Sequence, residues 1–415
     1  MSDISLQRQN SYERLSVLQT AYIVFTLVSL VLVLKYIFTT LNFFYGVDYR
    51  MYCVWQEKFL ETGNFYFEGS GFFNFPLTII AFGPYAFLPV SLAVAAKFIQ
   101  TFILGSLSVV LLFRITDGKI SANRNVLFIF SLLCLTFFIM QLCYLNIYVE
   151  VLTCLMLSLY FYKSKKLWLS AFFLSLGILF KIFLAPLVIA ALLAKEYRLF
   201  YKICLCLLFL VLLSIVLFGF QTHVDMLNAI AQTYSKMRVY GITIPYVSDG
   251  FSGYQDILNR FVMAGALTEK MVIPFTMIFA LFYGCVVLYV FYAIFQVVSV
   301  TEQRDDTYMG VFATVLVFSI GFNFRFDHGL LLLTMIPFLA STKDKNIRFA
   351  MLAVMLIVLL RYTVEKSLLL AGLTTMSVYI SKTAYYLTFQ FFGINLLVYY
   401  FASYWLDRHR MVIDG

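Results

Sequence analysis

Seven side chains that can carry chemistry lie near the borders of long apolar runs: Asp48, Asn146, Glu150, Lys181, Arg325, Asp327 and His328. A carboxylate in a partly dry site can act as a general base on a hydroxyl. A phosphate leaving group needs cations, because negative charge develops on it as the bond breaks. The set therefore suits the transfer of a group, such as a sugar, from a phosphate to a hydroxyl, with the base opposite the leaving group if configuration inverts.

The sequence contains no motif for several other kinds of chemistry. We find no zinc-protease motif, P-loop, dinucleotide fingerprint or metal-ligand cluster, and the seven cysteines form no CxxC pair. We therefore expect no cofactor and assign no side chain to a metal. The net charge of +9 is typical of basic cytoplasmic loops that face anionic lipid, so we expect no nucleic-acid partner.

The composition defines the elements that must position these side chains. Apolar residues make up 62% of the chain and charged residues 12%, which is too apolar for a water-facing surface. Runs of apolar residues predict an all-α, polytopic membrane protein with about 12 transmembrane helices in a single domain over 1–415. The predicted helices are 17–38, 87–113, 126–142, 145–162, 167–181, 183–195, 199–219, 271–298, 308–322, 329–341, 348–362 and 384–406.

The basic residues predict how the helices are oriented. The two termini and one set of short connections hold more Lys and Arg than the other set, so they are expected in the cytoplasm. The candidate side chains then fall at the outer face, and only Lys97 is expected near the midplane. The localisation predicted is therefore a multi-pass plasma-membrane protein with its active site on the non-cytoplasmic side.

Two outer loops, about 39–86 and 220–270, are long, and the first is expected to contain interfacial helix. Met51, Trp55 and Phe59 recur every fourth residue, so they are expected to share one helical face. These aromatics either anchor the loop at the lipid headgroups or form a groove for a lipid substrate. The pattern leaves both interpretations open.

The first outer loop also carries a series of family-like motifs. It contains Asp48-Tyr49-Arg50, Gly63-Asn64-Phe65-Tyr66, Phe73-Asn74-Phe75-Pro76-Leu77 and Leu88-Pro89. Further along follow Leu145-Asn146, Lys181 with Pro186, and Asp327-His328 with Pro337. In this order the motifs resemble glycosyltransferase family 87, over roughly residues 40 to 340. The chain departs from the family pattern at Cys143-Tyr144, where the family has Gly-Gln, and at Leu77, where it has a second Pro.

The resemblance implies a GT-C-like membrane enzyme that uses a polyprenyl-phosphate sugar as donor. By it, Asp48 is the general base, Lys181 and His328 contact the donor phosphate or sugar, and Asn146 takes the place of the family asparagine. We add Arg325 as a further cation, and Asp327 and Tyr49 as residues behind the site. The expected partners are a polyprenyl-phosphate sugar (mannose is favoured), a glycolipid or glycan acceptor, and membrane lipids.

Two alternatives remain at the level of sequence. One is a polymerase or ligase of surface polysaccharide that uses diphosphate-linked donors. The other is a transporter or flippase of lipid-linked glycans, which predicts charges at the midplane and inverted repeats. Lys97 is the one residue that fits the transporter.

Overall fold

A computed structural model of the chain describes residues 47–66, 74–81, 85, 88–116, 138, 141–142 and 144–239, together with separate positions between 271 and 334. All regular elements within these residues are helical, which confirms the all-α prediction for this part of the chain. The α-helices are α1 (Val47–Thr62), α2 (Val90–Ile115), α3 (Tyr148–Lys163), α4 (Leu167–Phe180), α5 (Leu187–Leu193), α6 (Tyr197–Phe218) and α7 (Phe220–Val239). Two 3-10 helices cover Pro76–Ala81 and Ile182–Leu184.

Two helices of the described part are long and apolar enough to cross a membrane. They are α2, with 26 residues, and α6, with 22 residues. At 1.5 Å per residue they are about 39 and 33 Å long, which exceeds the roughly 30 Å hydrocarbon layer. The shorter α4 is also apolar.

Several predicted helices fall beyond these elements. The predicted helices 17–38, 348–362 and 384–406, and most of 126–142, lie outside the described residues. The described positions within 271–298 and 308–322 are α-helical, and those within 329–341 are in 3-10 conformation. The count of about twelve therefore stays a prediction.

Helix α3 lies between its neighbours and carries much of the buried interior. It packs against α2 and against α4, and α4 packs in turn against α6. Most residues of α3 are buried. At Gly177 of α4 an added Cβ would lie 3.3 Å from the Cβ of Cys154. A glycine at this contact lets the two backbones approach closely, as is common between helices in lipid.

The structure corrects the predicted helix boundaries around Pro186. The predicted helix 183–195 is divided into the Ile182–Leu184 3-10 helix and the short α5. Proline has no N–H to donate and clashes with the preceding turn, so a new helix begins just after Pro186, which is its N-cap, instead of running through it. Lys181, predicted as the end of a helix, has extended backbone with φ −141° and ψ 95°.

Helix α1 is the helix expected in the first outer loop, and Met51, Trp55 and Phe59 lie on it at four-residue spacing. Trp55 is buried and Phe59 is half-buried, whereas Met51 is 44% exposed. The fully buried side chains of the helix are Tyr49, Tyr52 and Trp55, at spacings of three residues. Met51 therefore lies at the exposed edge of the face that the tyrosines define.

Helix α7 was missed, since residues 220–270 were predicted to be a loop. Its mixed polar and apolar sequence contains no apolar run long enough to predict a span. Gly219 separates it from α6 with φ 82° and ψ 152°, a conformation open to glycine. Asn64 donates to Asp225 Oδ2 at 2.8 Å, so α7 is attached to the segment that follows α1.

Candidate active site

A hydrogen bond between Asn146 and Asp48 joins two distant parts of the sequence. Nδ2 of Asn146 donates to Oδ2 of Asp48 at 2.6 Å across 98 residues. Asp48 lies in the first turn of α1 and is half-buried, whereas Asn146 lies just before α3 and is 3% exposed. The structure thus brings together the predicted base and the predicted family asparagine.

The amide of Asn146 is held in one orientation. Its Oδ1 accepts the backbone N–H of Ile147 at 2.7 Å, so its NH₂ group is the one that faces Asp48. Asp48 is therefore held through Oδ2. Among the described residues, none is recorded as donating a hydrogen bond to its Oδ1.

Leu145 provides the turn that presents Asn146. Its φ is +52°, in the left-handed region, and its N–H donates to the carbonyl of Gln141 at 2.7 Å. This is the usual way for a helical turn to end. A leucine in this region costs about 1–2 kcal/mol. Its full burial offsets this cost and holds the turn that aims Asn146 at Asp48.

Lys181 lies beside the same turn. Its Nζ is 4.7 Å from the centroid of the Tyr148 ring, and Tyr148 is in the first turn of α3, two residues after Asn146. Its Nζ also lies 3.4 Å from Oδ1 of Asn74. A cation is therefore held close to the chain segment that holds the carboxylate.

Asn74 links Lys181 to the first loop and was not predicted as a site residue. Its Nδ2 donates to the Tyr52 hydroxyl at 3.3 Å, and its backbone carbonyl accepts the Tyr66 hydroxyl at 2.6 Å. Asn74 does stand inside the Phe73–Leu77 motif, two residues before Pro76. That position was the available signal, although only the structure gives it a partner.

Tyr49 lies behind Asp48 on α1 and is 1% exposed. Burial, with a smaller contribution from the Cys53 thiol, raises the pKa of the Tyr49 phenol well above its usual range. The phenol therefore stays protonated at any pH at which the protein works. It can support α1 by packing, but it cannot act as a base.

Lys97, expected alone near the midplane, is paired. Its Nζ lies 2.5 Å from Oε1 of Glu150, and both side chains are almost fully buried. The ammonium also donates to the Ala81 carbonyl at 3.1 Å. Lys97 is the eighth residue of α2, about two turns from the N-terminus of that helix.

The remaining predicted site residues lie outside the part of the chain that the structure describes. Arg325, Asp327 and His328 lie outside the described residues, so their roles stay predictions. Within the described residues, no three His, Cys, Asp or Glu side chains converge in a way that suits a metal ion.

A helical membrane protein with a carboxylate and a cation at the same end of its helices fits the membrane glycosyltransferases. The family model of glycosyltransferase family 87 matches residues 72–322. The chain therefore belongs to glycosyltransferase family 87. The match confirms the resemblance and includes Asn74, Asn146 and Lys181, although it is narrower than the expected range of 40 to 340. A comparison with curated proteins finds no match.

Proposed function

We propose that the protein transfers a sugar from a polyprenyl-phosphate donor to a hydroxyl of a glycolipid or glycan, with inversion of configuration. Mannose is the favoured sugar. The observation that carries the proposal is the Asp48–Asn146 hydrogen bond of 2.6 Å with Lys181 beside the same turn. A base and a phosphate-binding cation are the two groups that this reaction requires.

In the proposed reaction, Oδ1 of Asp48 accepts the proton of the acceptor hydroxyl. The acceptor oxygen forms a bond to the anomeric carbon as the bond from that carbon to the phosphate oxygen breaks. The electron pair of the broken bond leaves with the polyprenyl phosphate. Attack from the face opposite the leaving group inverts the configuration at the anomeric carbon.

Lys181 is proposed to bind the donor phosphate. Its Nζ contacts the Tyr148 ring and Asn74 Oδ1, two uncharged groups that help to hold the ammonium in place. A charge that is held in place in this way can stabilise the negative charge that develops on the leaving phosphate. Arg325 and a protonated His328 are proposed to assist it, with Asp327 next to them.

The proposed location of the site is the non-cytoplasmic face of the plasma membrane. The end of α2 carries Arg114, and Lys163 at the end of α3 donates to the Ile115 carbonyl at 2.7 Å. Basic residues thus gather at the end of α3 opposite to Asn146. The positive-inside rule assigns that basic end to the cytoplasm, which supports an outward-facing site.

The aromatic loop 59–86 and the outer loop 220–270 are proposed to form the grooves for the acceptor and the donor lipid. Phe65 stacks on Phe59 with ring centroids 4.0 Å apart, and Phe218 contacts both rings. This aromatic cluster connects the end of α1 to the junction of α6 and α7. This packing is evidence that the two loops form one surface beside the proposed site.

The transporter alternative is less well supported than the enzyme. Lys97 is the one residue that fits it, and Lys97 is bonded to Glu150 and to the Ala81 carbonyl beside the proposed site, while the sequence shows no internal repeat. The polymerase or ligase alternative differs from the proposal in its donor, a diphosphate-linked glycan. The assay below therefore includes that donor as a second arm.

The test is sugar transfer by purified protein in lipid, with radiolabelled polyprenyl-phosphate mannose and a mixed lipid extract as acceptor. We expect Asp48→Asn to lower the rate by about 10²-fold or more. Asp225→Asn is the matched control, because Asp225 also accepts a hydrogen bond from an asparagine, Asn64. Asp225 lies in a segment proposed to form a groove, so its variant should lose at most a small part of the activity, far less than Asp48→Asn.

Each outcome has a distinct meaning. Normal transfer by a folded Asp48→Asn variant would remove Asp48 as the base. Transfer from the diphosphate-linked donor alone would favour the polymerase or ligase. The absence of a product with mannose, other hexoses and diphosphate-linked donors, together with uptake of lipid-linked glycan into liposomes, would overturn the enzyme proposal in favour of transport.

A further inference from the structure

Three polar side chains, two on α3 and one just before it, each bond a residue of α1 or α2. Asn146 just before the helix bonds Asp48, Glu150 bonds Lys97, and Thr153 lies 2.9 Å from the Ser108 hydroxyl. Glu150 and Thr153, three residues apart, lie on one face of α3, and Asn146 lies in the turn that leads into the helix. The Lys97–Glu150 pair therefore lies in the first turn of α3, close along the chain to the residue that holds the proposed base.

The Lys97 ammonium connects three separate segments. It bonds Glu150 on α3 and the carbonyl of Ala81, and its third acceptor is Oε1 of Gln100 at 3.4 Å on its own helix. Ala81 is the last residue of the Pro76–Ala81 3-10 helix. Each proton of the ammonium thus has an acceptor, and the side chain holds α2, α3 and the 3-10 helix at a set separation.

The two segments that Lys97 joins carry the two halves of the proposed site. Asn146, one turn before Glu150, holds Asp48, whereas Asn74, two residues before the 3-10 helix, contacts Lys181. In addition, Thr78 of the 3-10 helix donates to the Leu179 carbonyl at 3.4 Å, two residues before Lys181. A shift of either segment would therefore change the distance between the base and the phosphate-binding cation.

Stability alone does not account for this pair. Removing two charges from water costs several kcal/mol per ion, so a buried ion pair is often no more stabilising than apolar side chains of similar volume. Oε2 of Glu150 is buried and has no hydrogen-bond partner among the described residues, which adds to the cost. A costly polar group that is kept inside a membrane protein indicates a function.

We propose that Lys97 and Glu150 are positioning residues for sugar transfer, which hold the turn at Asn146 and the Pro76–Ala81 3-10 helix so that Asp48 and Lys181 face one bound substrate. The proposal rests on the proposed function for its reaction. The contacts of Lys97 with Glu150 and with the Ala81 carbonyl do not depend on which donor the protein uses.

The test replaces both charges together, because removal of one partner would leave an uncompensated buried charge and unfold the protein. In Lys97→Met/Glu150→Met the volumes are similar, and the Ala81 carbonyl keeps the Gln100 amide as a donor at 3.4 Å. The matched control is Ser108→Ala/Thr153→Val, which removes the other buried polar contact between α2 and α3. Both variants should keep thermal midpoints close to that of wild type.

Two readouts separate positioning from packing. We expect kcat of Lys97→Met/Glu150→Met to fall about tenfold or more with little change in KM, since a small misplacement of reacting groups is costly in rate. We also expect faster hydrogen exchange of the amides in 145–151 and 76–81 in this variant. The control should match wild type in both measurements.

The exchange readout needs no donor, so it tests whether the pair holds the two segments even if sugar transfer is never observed. Unchanged exchange in both segments, or equal losses in the two double variants, would overturn the inference. Loss of transfer in Asp48→Asn with normal kcat in the Lys97→Met/Glu150→Met variant would leave the proposed function standing and remove the positioning role.

Discussion

Asp48 and Asn146 are 98 residues apart in the sequence, yet their side chains are joined by a hydrogen bond of 2.6 Å. The contact connects α1, which lies before the region that matches the family, to the start of α3, which lies within it. The residue proposed as the base is therefore attached to the matched region by an amide whose orientation is set by the backbone N–H of Ile147.

The first prediction concerns this hydrogen bond. Asn146→Ala should lower kcat about tenfold to a hundredfold and leave the KM values for both substrates nearly unchanged, because the carboxylate loses the group that orients it. The measurement is steady-state sugar transfer. Asn64→Ala removes an Asn–Asp hydrogen bond of the same chemistry between the α1 side and α7, and it should lower kcat far less than Asn146→Ala. Equal losses in the two variants would contradict the proposed role.

The second prediction concerns Lys181. Lys181→Met should lower kcat/KM for the donor about 10²-fold, since the leaving phosphate loses its cation. Lys202→Met is the control, because Lys202 also lies over an aromatic ring, that of Trp168 at 5.2 Å, in the basic region at the other end of the helices. A variant of Lys181 that binds and turns over the donor normally would exclude phosphate binding by this residue.

The third prediction is a loss of stability at alkaline pH. Burial raises the pKa values of Tyr49 and Tyr66 above their usual range. Above about pH 10 the unfolded chain loses these protons while the folded chain keeps them. The free energy of unfolding therefore falls as pH rises beyond about 10 and is insensitive to these groups below it.

Tyr49→Phe/Tyr66→Phe tests that assignment. The variant should be less stable at pH 8, by about 1 kcal/mol for the bond from Tyr66 to the Asn74 carbonyl. Its thermal midpoint should nevertheless decline less steeply than that of wild type between pH 10 and 11.5. Parallel declines for the two proteins would show that other groups cause the alkaline loss.

The fourth prediction concerns the junction of α6 and α7. Gly219→Ala should destabilise the protein by about 1–3 kcal/mol, because φ 82° with ψ 152° is a region that side chains other than glycine rarely adopt. Gly284→Ala is the control: Gly284 is helical and a Cβ there meets no atom within 4 Å. It should be neutral or stabilising by up to about 1 kcal/mol. Thermal unfolding in detergent measures both.

Hydropathy alone predicted the parts of the fold that depend on contact with lipid. Helices α2 and α6 and the buried α3 lie close to their predicted ranges, since a long apolar run in a membrane has helix as its stable conformation. The family was also predicted from the order of short motifs. Asp48 and Asn146 were predicted for the same face, because both stand at the borders of such runs.

The other features of the fold and the site could not be predicted from the lengths of the apolar runs. Helix α7 mixes polar and apolar residues, so it was predicted as a loop. The partner of Asn74 depends on the path of the first loop, and the pairing of Lys97 with Glu150 depends on the register between two helices. Neither path nor register is encoded in the hydropathy of a single segment.

The order of Lys97 and Glu150 in the chain has a consequence for biosynthesis. Lys97 precedes its partner by 53 residues, so α2 leaves the ribosome with a lysine that has no counter-charge. A lysine at a helix centre costs about 2.5–3.5 kcal/mol to insert, and Lys97, about two turns from the N-terminus of α2, costs less than that. The apolar residues of α2, or the insertion machinery that shelters it, must compensate for this cost until α3 arrives. The ion pair thus lets α3 supply, late in assembly, the counter-charge that α2 lacks when it is made.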